Sequence, residues 1–384
     1  MKIAVYHNLP PGGGKRSAHE WLKQMTKYHE VDLYFYSSGA EIFLDSRPLV
    51  RRVYVTNDLV LKGNSHVGRL FFLYRVWKKS KEIALEINSV DYDVAFVLQD
   101  DAFNSPFVLR YLKIRSLYFC QEPLAKAKEP HYSLNRGPLE KLIRNLMIAV
   151  LSRIDRSNAR CATMICSNSL YSTENIYRWY GIYPRLNYLG VDTNLFRPMH
   201  LDREPVVLYV GSLLPSKGCD FIVKSIATLE VKPAVRFMCH VSDSKYEEEL
   251  IELAKDLNVS ISFDYLPHQH ELVKAYNTAY LTVFASLLEP LGLVPLESMA
   301  CGTPVVGIAE AGIRETIRHD INGLLTERDP YEFGQAINKL ITDNNLWREF
   351  SVRGLEDVRS NWTWDKSYQN LEKYLEMLRD KSRH

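Results

Sequence analysis

"VVLYVGSLLPSKGCDFIVKSIATLE", residues 206 to 230, reads as a buried strand, a loop punctuated by glycine and proline, and a helix. The run VVLYVGS (206–212) is short and rich in β-branched residues, and Gly211 and Gly218 bracket the turn into GCDFIVKSIATLE. The pattern repeats downstream: VRFMCHV (235–241) precedes KYEEELIELAKDLN, VSISFDYL precedes HELVKAYNTA, and LTVFAS precedes a helix around Glu297–Ala300 and the strand PVVGIA (304–309). It also occurs upstream, where KIAVYHN (2–8) runs into LPPGGGKRSAHEWLKQMTKY and further apolar runs lie at 31–37, 90–99, 115–121 and 162–169. Strands alternating with helix-period segments predict parallel sheets with crossover helices. The proline-bearing stretch YLGVDTNLFRPMHLDREP (188–205) separates the two series. The expected fold is therefore α/β, with one Rossmann-like domain over residues 1–190 and a second over 191–364. A closing helix, DKSYQNLEKYLEMLRD (365–380), places Leu371, Tyr374, Leu375 and Leu378 on one face that has to pack.

At 384 residues and 46% hydrophobic content, the chain has enough apolar material for two cores. No run reaches the roughly 20 apolar residues that cross a bilayer, and the start MKIAVYHNLPPGGG lacks a signal-peptide pattern, so a cytoplasmic protein is expected. The six cysteines show no C-x-x-C spacing, which argues for reduced thiols rather than a zinc site or disulfides; no metal is expected. Net charge is +2, yet residues 1–190 hold 27 Lys and Arg against 17 Asp and Glu, and the remainder 21 against 29. The first half, at +10, is suited to something anionic; two ordinary solvated surfaces account for the split equally well.

Open parallel sheets bind ligands beyond the carboxyl ends of their strands, where glycine loops and helix N-termini meet anions. Three stretches fit. PPGGGKR (10–16) follows the first strand, and Gly13 and Gly14 remove side chains that would keep a phosphate from the backbone. VGSLLPSKG (210–218) brings Gly211, Ser212 and Lys217 to the start of a helix, where a lysine adds a full charge to the positive helix end. EPLGLVPLESMACG (289–302) puts Glu289 in a loop and Glu297 inside a helix that has Pro295 in its first turn. Amides near Leu291, Gly292 and Leu293 can cradle a phosphate, leaving Glu289 to accept from sugar hydroxyls and Glu297 from ribose hydroxyls. A surface loop acid and a helix-dipole acid are the plain alternatives, and a glycoside hydrolase with Glu289 and Glu297 as acid and nucleophile is a third reading.

Taken in order, VGSLLPSKG, EPLGLVPLE and ACGTPVVG, preceded by YLGVDTNLFRP and followed by AEAGIRETIRHDINGLL (309–325), resemble the retaining GT-B glycosyltransferases of the group 1, family 4-like kind. That family includes sucrose synthases and bacterial lipid-glycan mannosyltransferases, and the resemblance covers nearly the whole chain. It implies two Rossmann-like domains facing across a cleft and a last helix (365–384) that crosses back to the first domain. It also implies a UDP- or GDP-sugar donor bound by the second domain, an acceptor bound by the first, and transfer with retention. Lys217 would then contact the diphosphate, Glu289 the donor sugar and Glu297 the ribose, with Gly13 and Gly14 approaching phosphate and acceptor. No cofactor or metal is implied, because lysine and amide N–H groups can stabilise a departing diphosphate.

Two departures stand out. Ser212 occupies a place where the family commonly has a basic residue, and YFCQEPL (118–124) has Gln121 and Glu122 where the family often has a histidine and an acid. Glutamine can hold a hydroxyl but does not titrate, so Glu122 is the candidate base, unless the leaving phosphate takes the proton or the Gln-Glu pair is structural. A nucleotide-sugar-binding protein with little activity is the rival reading. In HVGRLFFLYRVWKKSKEIALEI (66–87), Val67, Leu70, Phe71, Tyr74 and Trp77 share helical spacing with Arg69, Arg75, Lys78, Lys79 and Lys81 nearby. That pattern fits either a helix resting on the inner face of an anionic membrane, next to a lipid-linked acceptor, or ordinary core packing. No nucleic-acid-binding module accompanies the charge.

Overall fold

The computed structural model describes residues 1–56, 59, 66–100, 102–124, 138–265 and 268–380. The chain divides into two units, one made of Met1–Tyr188 with Trp364–His384 and the other of Leu189–Thr363. In the first, β1 (Lys2–Asn8), α1 (Gly13–Met25), β2 (Glu30–Phe35), β3 (Arg52–Val55), α2 (His66–Ser89), β4 (Val94–Asp100), β5 (Ser116–Phe119), α3 (Pro138–Ala159), β6 (Met164–Ser167), α4 (Leu170–Tyr180) and β7 (Arg185–Leu186) follow one another. The strands form one sheet in the order β3-β2-β1-β4-β5-β6-β7, every registered pair parallel. Chain order reverses between β1 and β4, so their carboxyl ends form the switch point where α/β sheets hold ligands.

The second unit runs β8 (Glu204–Leu213), α5 (Cys219–Ala227), β9 (Ala234–Ser242), α6 (Ser244–Asp256), β10 (Ile261–Tyr265), α7 (Gln269–Thr278), β11 (Ala279–Phe284), α8 (Leu293–Ala300), β12 (Val305–Ile308), α9 (Ile313–Thr316), β13 (Leu324–Thr326), α10 (Pro330–Thr342) and α11 (Asn344–Asn361). Its parallel sheet has the order β10-β9-β8-β11-β12-β13, again reversing at the first strand, between β8 and β11. Central strands read as unbroken apolar runs because helices cover both faces; Val207, Tyr209, Val235, Phe237, Leu281, Val283 and Val306 all lie in one core with Ile222, Ile226, Phe333 and Ile337.

Side-chain caps set the helix starts. Asp243, Asp329 and Asp343 each accept amide hydrogens from the first turns of α6, α10 and α11, and Ser169 does so for α4, which stops at the left-handed Gly181. The last helix, α12 (Trp364–Asp380), belongs to the first unit. It buries Trp364, Leu371, Leu375 and Leu378, its Ser367 Oγ accepts from Trp21 Nε1 at 3.0 Å, and Asn370 Nδ2 donates to the Leu186 carbonyl at 3.0 Å. Tyr374, expected on the same face, is half-buried and donates to the Leu186 carbonyl.

Candidate functional site

At the carboxyl edge of the second sheet, β8 runs through Gly211 and Ser212, as the strand read at 206–212 does, and ends at Leu213. Gly211 pairs with Cys239 of β9, so the backbone hydrogen bonding of the ladder extends beyond the glycine. The chain then tightens into a single turn, Pro215–Lys217, and passes through left-handed Gly218 (φ 71°) into α5. Glycine is required there: a Cβ would stand 2.5 Å from the Ala285 carbonyl oxygen.

The neighbouring strand, β11, delivers the loop that carries Glu289. Leu287 N–H donates to the Ser216 carbonyl at 2.9 Å, lacing this loop to the Pro215–Lys217 turn. Lys217 Nζ then donates to Glu289 Oε2 at 2.8 Å, the two side chains being 31% and 24% exposed. Left-handed Gly292 (φ 81°) caps α8, whose first-turn amides have no acceptor within the helix and carry its positive end. Glu297 sits one turn further on, 4% exposed, accepting from Tyr276 Oη of α7 at 2.9 Å. The two glutamates are thus held by different elements, Glu289 by the β8 turn and Glu297 by α7. Arg314, on the short α9, closes its own turn by donating from Nε to the Ala311 carbonyl at 3.2 Å.

In the first unit the glycine stretch is more helical than its composition suggests. Gly12 (φ 147°) is the cap, and Gly13 and Gly14 already form the first turn of α1. A Cβ on Gly14 would stand 2.9 Å from Gln121 Nε2, so the missing side chain lets the helix start lie against Gln121. The backbone at this place is pinned: the Gln121 carbonyl accepts from Ser172 Oγ at 2.8 Å, and the Glu122 carbonyl from Gln99 Nε2 at 3.0 Å and Asn104 Nδ2 at 2.7 Å.

Sequence reading missed the most unusual group in this unit. Lys15, in the first turn of α1 and fully buried, places Nζ 2.5 Å from Glu41 Oε1 and 3.1 Å from Ser46 Oγ. His7 Nε2 lies 3.0 Å from the same Glu41 oxygen, and Ser46 N–H donates to the other at 2.6 Å. Burial lowers both the His7 and the Lys15 pKa. Burial pushes Glu41 upward, but the bonds from His7, Lys15 and Ser46 outweigh it and hold the carboxyl below its ordinary range. Asp100, at the end of β4, is pushed by burial up to about 6 although two amides and the hydroxyls of Tyr6 and Tyr36 bond to it.

The cysteines are free, and all but Cys161 are buried; burial pushes Cys301 and Cys239 up to about 12, which leaves them inert thiols. Among the described residues no group of three or more His, Cys, Asp or Glu side chains could hold a metal. On α2, Phe71 and Tyr74 are exposed, whereas Trp77 turns inward and donates to Tyr111 Oη at 2.6 Å; the side chains of Val67, Arg69 and Leu70 lie outside the described residues.

Residues 192–356 match the family described as glycosyl transferases group 1. A D-inositol 3-phosphate glycosyltransferase of Acidothermus cellulolyticus is 32% identical over 235 residues, which cover 55% of this chain and 52% of that protein. A GDP-mannose-dependent alpha-(1-6)-phosphatidylinositol monomannoside mannosyltransferase of Mycobacterium tuberculosis is 28% identical over 54% of this chain and 60% of its own length. The chain spans about half the length of the curated relatives it matches. Among solved structures, sucrose-phosphate synthase from Thermosynechococcus elongatus aligns over 98% of this chain and 99% of its own, with TM-score 0.76 and 19% identity. HepE from Anabaena in complex with UDP-glucose aligns over 98% and 100%, with TM-score 0.73 and 19% identity. Residues 192–356, most of the second unit, thus resemble the glycosyl transferases group 1, and along nearly its whole length the chain has the GT-B fold.

Proposed function

We propose that the protein is a retaining glycosyltransferase that moves a sugar from a UDP- or GDP-sugar to a hydroxyl of a glycan or lipid-linked acceptor. The observation that carries this reading is the Lys217–Glu289 pair beside the α8 N-terminus, with Glu297 one turn behind it. In this reading Lys217, the amides of Leu291, Gly292 and Leu293, and the backbone at Gly211 and Ser212 hold the diphosphate; Glu289 orients the sugar and Glu297 the ribose. Gly13 and Gly14 leave the backbone at the start of α1 open to an anionic or hydroxyl group of the acceptor. The bond from the anomeric carbon to phosphate breaks, the bond to the acceptor oxygen forms on the same face, and the leaving phosphate takes the acceptor's proton. Gln121 holds the acceptor hydroxyl, and Glu122 is the base if the phosphate is not.

Names of the relatives support an anionic inositol- or lipid-type acceptor, and the +10 balance of residues 1–190 agrees with it. The test is release of nucleoside diphosphate from a panel of UDP- and GDP-sugars with hydroxyl acceptors. Because a lysine and helix amides offset the phosphate charge, a chelator is expected to leave the rate within about twofold. Tight donor binding without transfer to any acceptor would instead favour a nucleotide-sugar-binding protein.

No described helix is long and apolar enough to cross a membrane, so contact with lipid would be peripheral. Support for such contact comes from two helices packed on one short turn, Phe107–Arg110. Phe71 and Tyr74 on α2, and Leu142, Leu146 and Val150 on α3, are exposed, among Arg75, Lys78, Arg144 and Arg153. Each basic residue near an anionic surface contributes about 1 kcal/mol. Co-sedimentation with phosphatidylglycerol-containing vesicles is therefore expected, falling about 10-fold in Leu146→Glu/Val150→Glu and in pure phosphatidylcholine. Equal sedimentation in all three cases counts against the contact.

A further inference from the structure

One ion pair in the second unit, absent from the roles above, joins three strand ends. Arg328, just past β13, makes a two-pronged bond to Glu310, just past β12: Nε to Oε1 at 2.7 Å and Nη2 to Oε2 at 2.8 Å. Its remaining nitrogen, Nη1, donates to the Ala285 carbonyl just past β11 at 3.1 Å, and the guanidinium lies 5.5 Å from the Phe221 ring of α5. Only a planar fork makes all these contacts at once.

From there the contacts close a ring. Glu310 leads through left-handed Ala311 (φ 49°) to Gly312, whose N–H donates to the Glu289 carbonyl at 3.0 Å. Gly312 is so close to the donor loop that a Cβ would stand 1.8 Å from the Pro290 carbonyl oxygen. The Glu289 side chain pairs with Lys217; the next residue, Gly218, abuts the Ala285 carbonyl, which returns to Arg328. Two non-glycine residues in these loops, Leu288 (φ 48°) and Ala311, hold backbone conformations that persist only where their surroundings over-determine them.

We propose that Arg328 and Glu310 are positioning residues for the donor site: they touch no substrate, and through the Ala285 and Gly312 loops they fix where Glu289 and Lys217 stand. The proposal rests on the transferase reading above for its purpose, though not for its geometry. The two side chains are 25% and 26% exposed, and their hydrogen bonds run to each other and to the carbonyls of Ala285 and Ser286, so their effect is expected at these loops. Reactions of this kind lose about 100-fold when a reacting group is misplaced by an ångström.

Hydrogen exchange and kinetics of Arg328→Met, Arg328→Lys and Glu310→Gln test it. Amides in peptides covering 285–293 and 309–312 are expected to exchange about 10-fold faster in all three variants, with β8, β9 and β10 unchanged. Transfer should show kcat lowered about 10-fold or more, with the donor KM within about threefold. Lysine keeps the charge and loses the fork, so Arg328→Lys should be as impaired as Arg328→Met. Full rescue by lysine would mean that charge alone acts, and would overturn the proposal. Unchanged exchange, or acceleration spread over the whole unit, overturns it too. A wild-type chain that transfers from no donor would sink the transferase reading instead, while the exchange data still decide whether the pair holds the loops.

Discussion

Lys217→Ala is expected to lower kcat/KM for the sugar donor by about 10²–10³-fold, the loss typical of removing one preorganised group that faces developing negative charge. Both binding and turnover should suffer, because the diphosphate is anionic before the reaction and more so as it leaves. Glu289→Gln should behave differently: the amide fills the same space beside Lys217 and still accepts a hydrogen bond, but has no charge. Donor KM is then expected to stay within about threefold while kcat falls about 10²-fold, the signature of an interaction made mainly in the transition state. Neither variant should unfold the protein, since the pair is partly exposed and its net contribution to stability is at most about 1 kcal/mol. Steady-state kinetics beside calorimetric titration with nucleoside diphosphate separates the two profiles. A Lys217→Ala protein with wild-type turnover and affinity would remove the diphosphate from this site.

Glu41→Gln carries the largest expected effect on stability. It leaves the Lys15 ammonium fully buried, with a neutral amide in place of its counter-ion, and breaking one side of a buried pair costs about 3–5 kcal/mol. For a unit of this size that is a fall of roughly 10 °C in its melting transition. The pH dependence has a definite sign. With Glu41 gone, burial depresses the Lys15 pKa further below its unfolded value, so the unfolded chain binds more protons and the variant regains stability as pH rises toward 10. In the wild type the depressed Glu41 pKa works at the other end: its contribution is complete above the unfolded carboxyl pKa of about 4.3 and is lost as pH falls through the lower folded value. Replacing both partners by apolar residues, Lys15→Met with Glu41→Leu, should return stability to within about 2 kcal/mol of the wild type. Calorimetric melts of the three proteins from pH 3 to 10 check this, and a Glu41→Gln melt that coincides with the wild type throughout would show that the pair is not the buried contact described.

Much of the second unit's site was legible before any coordinates. VGSLLPSKG and EPLGLVPLE each carry their own punctuation, so Lys217 at a helix start, Glu289 in a loop and Glu297 within a helix follow from local rules. The strand read at 206–212 extends a little further at both ends, to Glu204–Leu213, because pairing with its neighbours sets its length. The glycines at 13 and 14 read as loop and fold as helix, and the close approach of Gln121 to Gly14, where a Cβ would stand 2.9 Å from Nε2, comes from a residue more than 100 positions away. Lys15 and Glu41 could not be paired from spacing. They lie 26 residues apart, and no periodicity marks a lysine that will be buried.

By itself, the amino-acid order determined those properties that depend on a few adjacent residues: alternating strands and helices, two sheets, turn positions, and which charged groups stand at strand ends. Only the tertiary structure decided which of these groups meet. Lys217 follows β8 and Glu289 follows β11, 72 residues later, and they touch because those strands are neighbours in the sheet although two others intervene along the chain. Arg328, Glu310 and Ala285 converge for the same reason. Strand order is settled by how whole helices pack across the sheet, and that balance of buried area leaves no signature in any single stretch of residues.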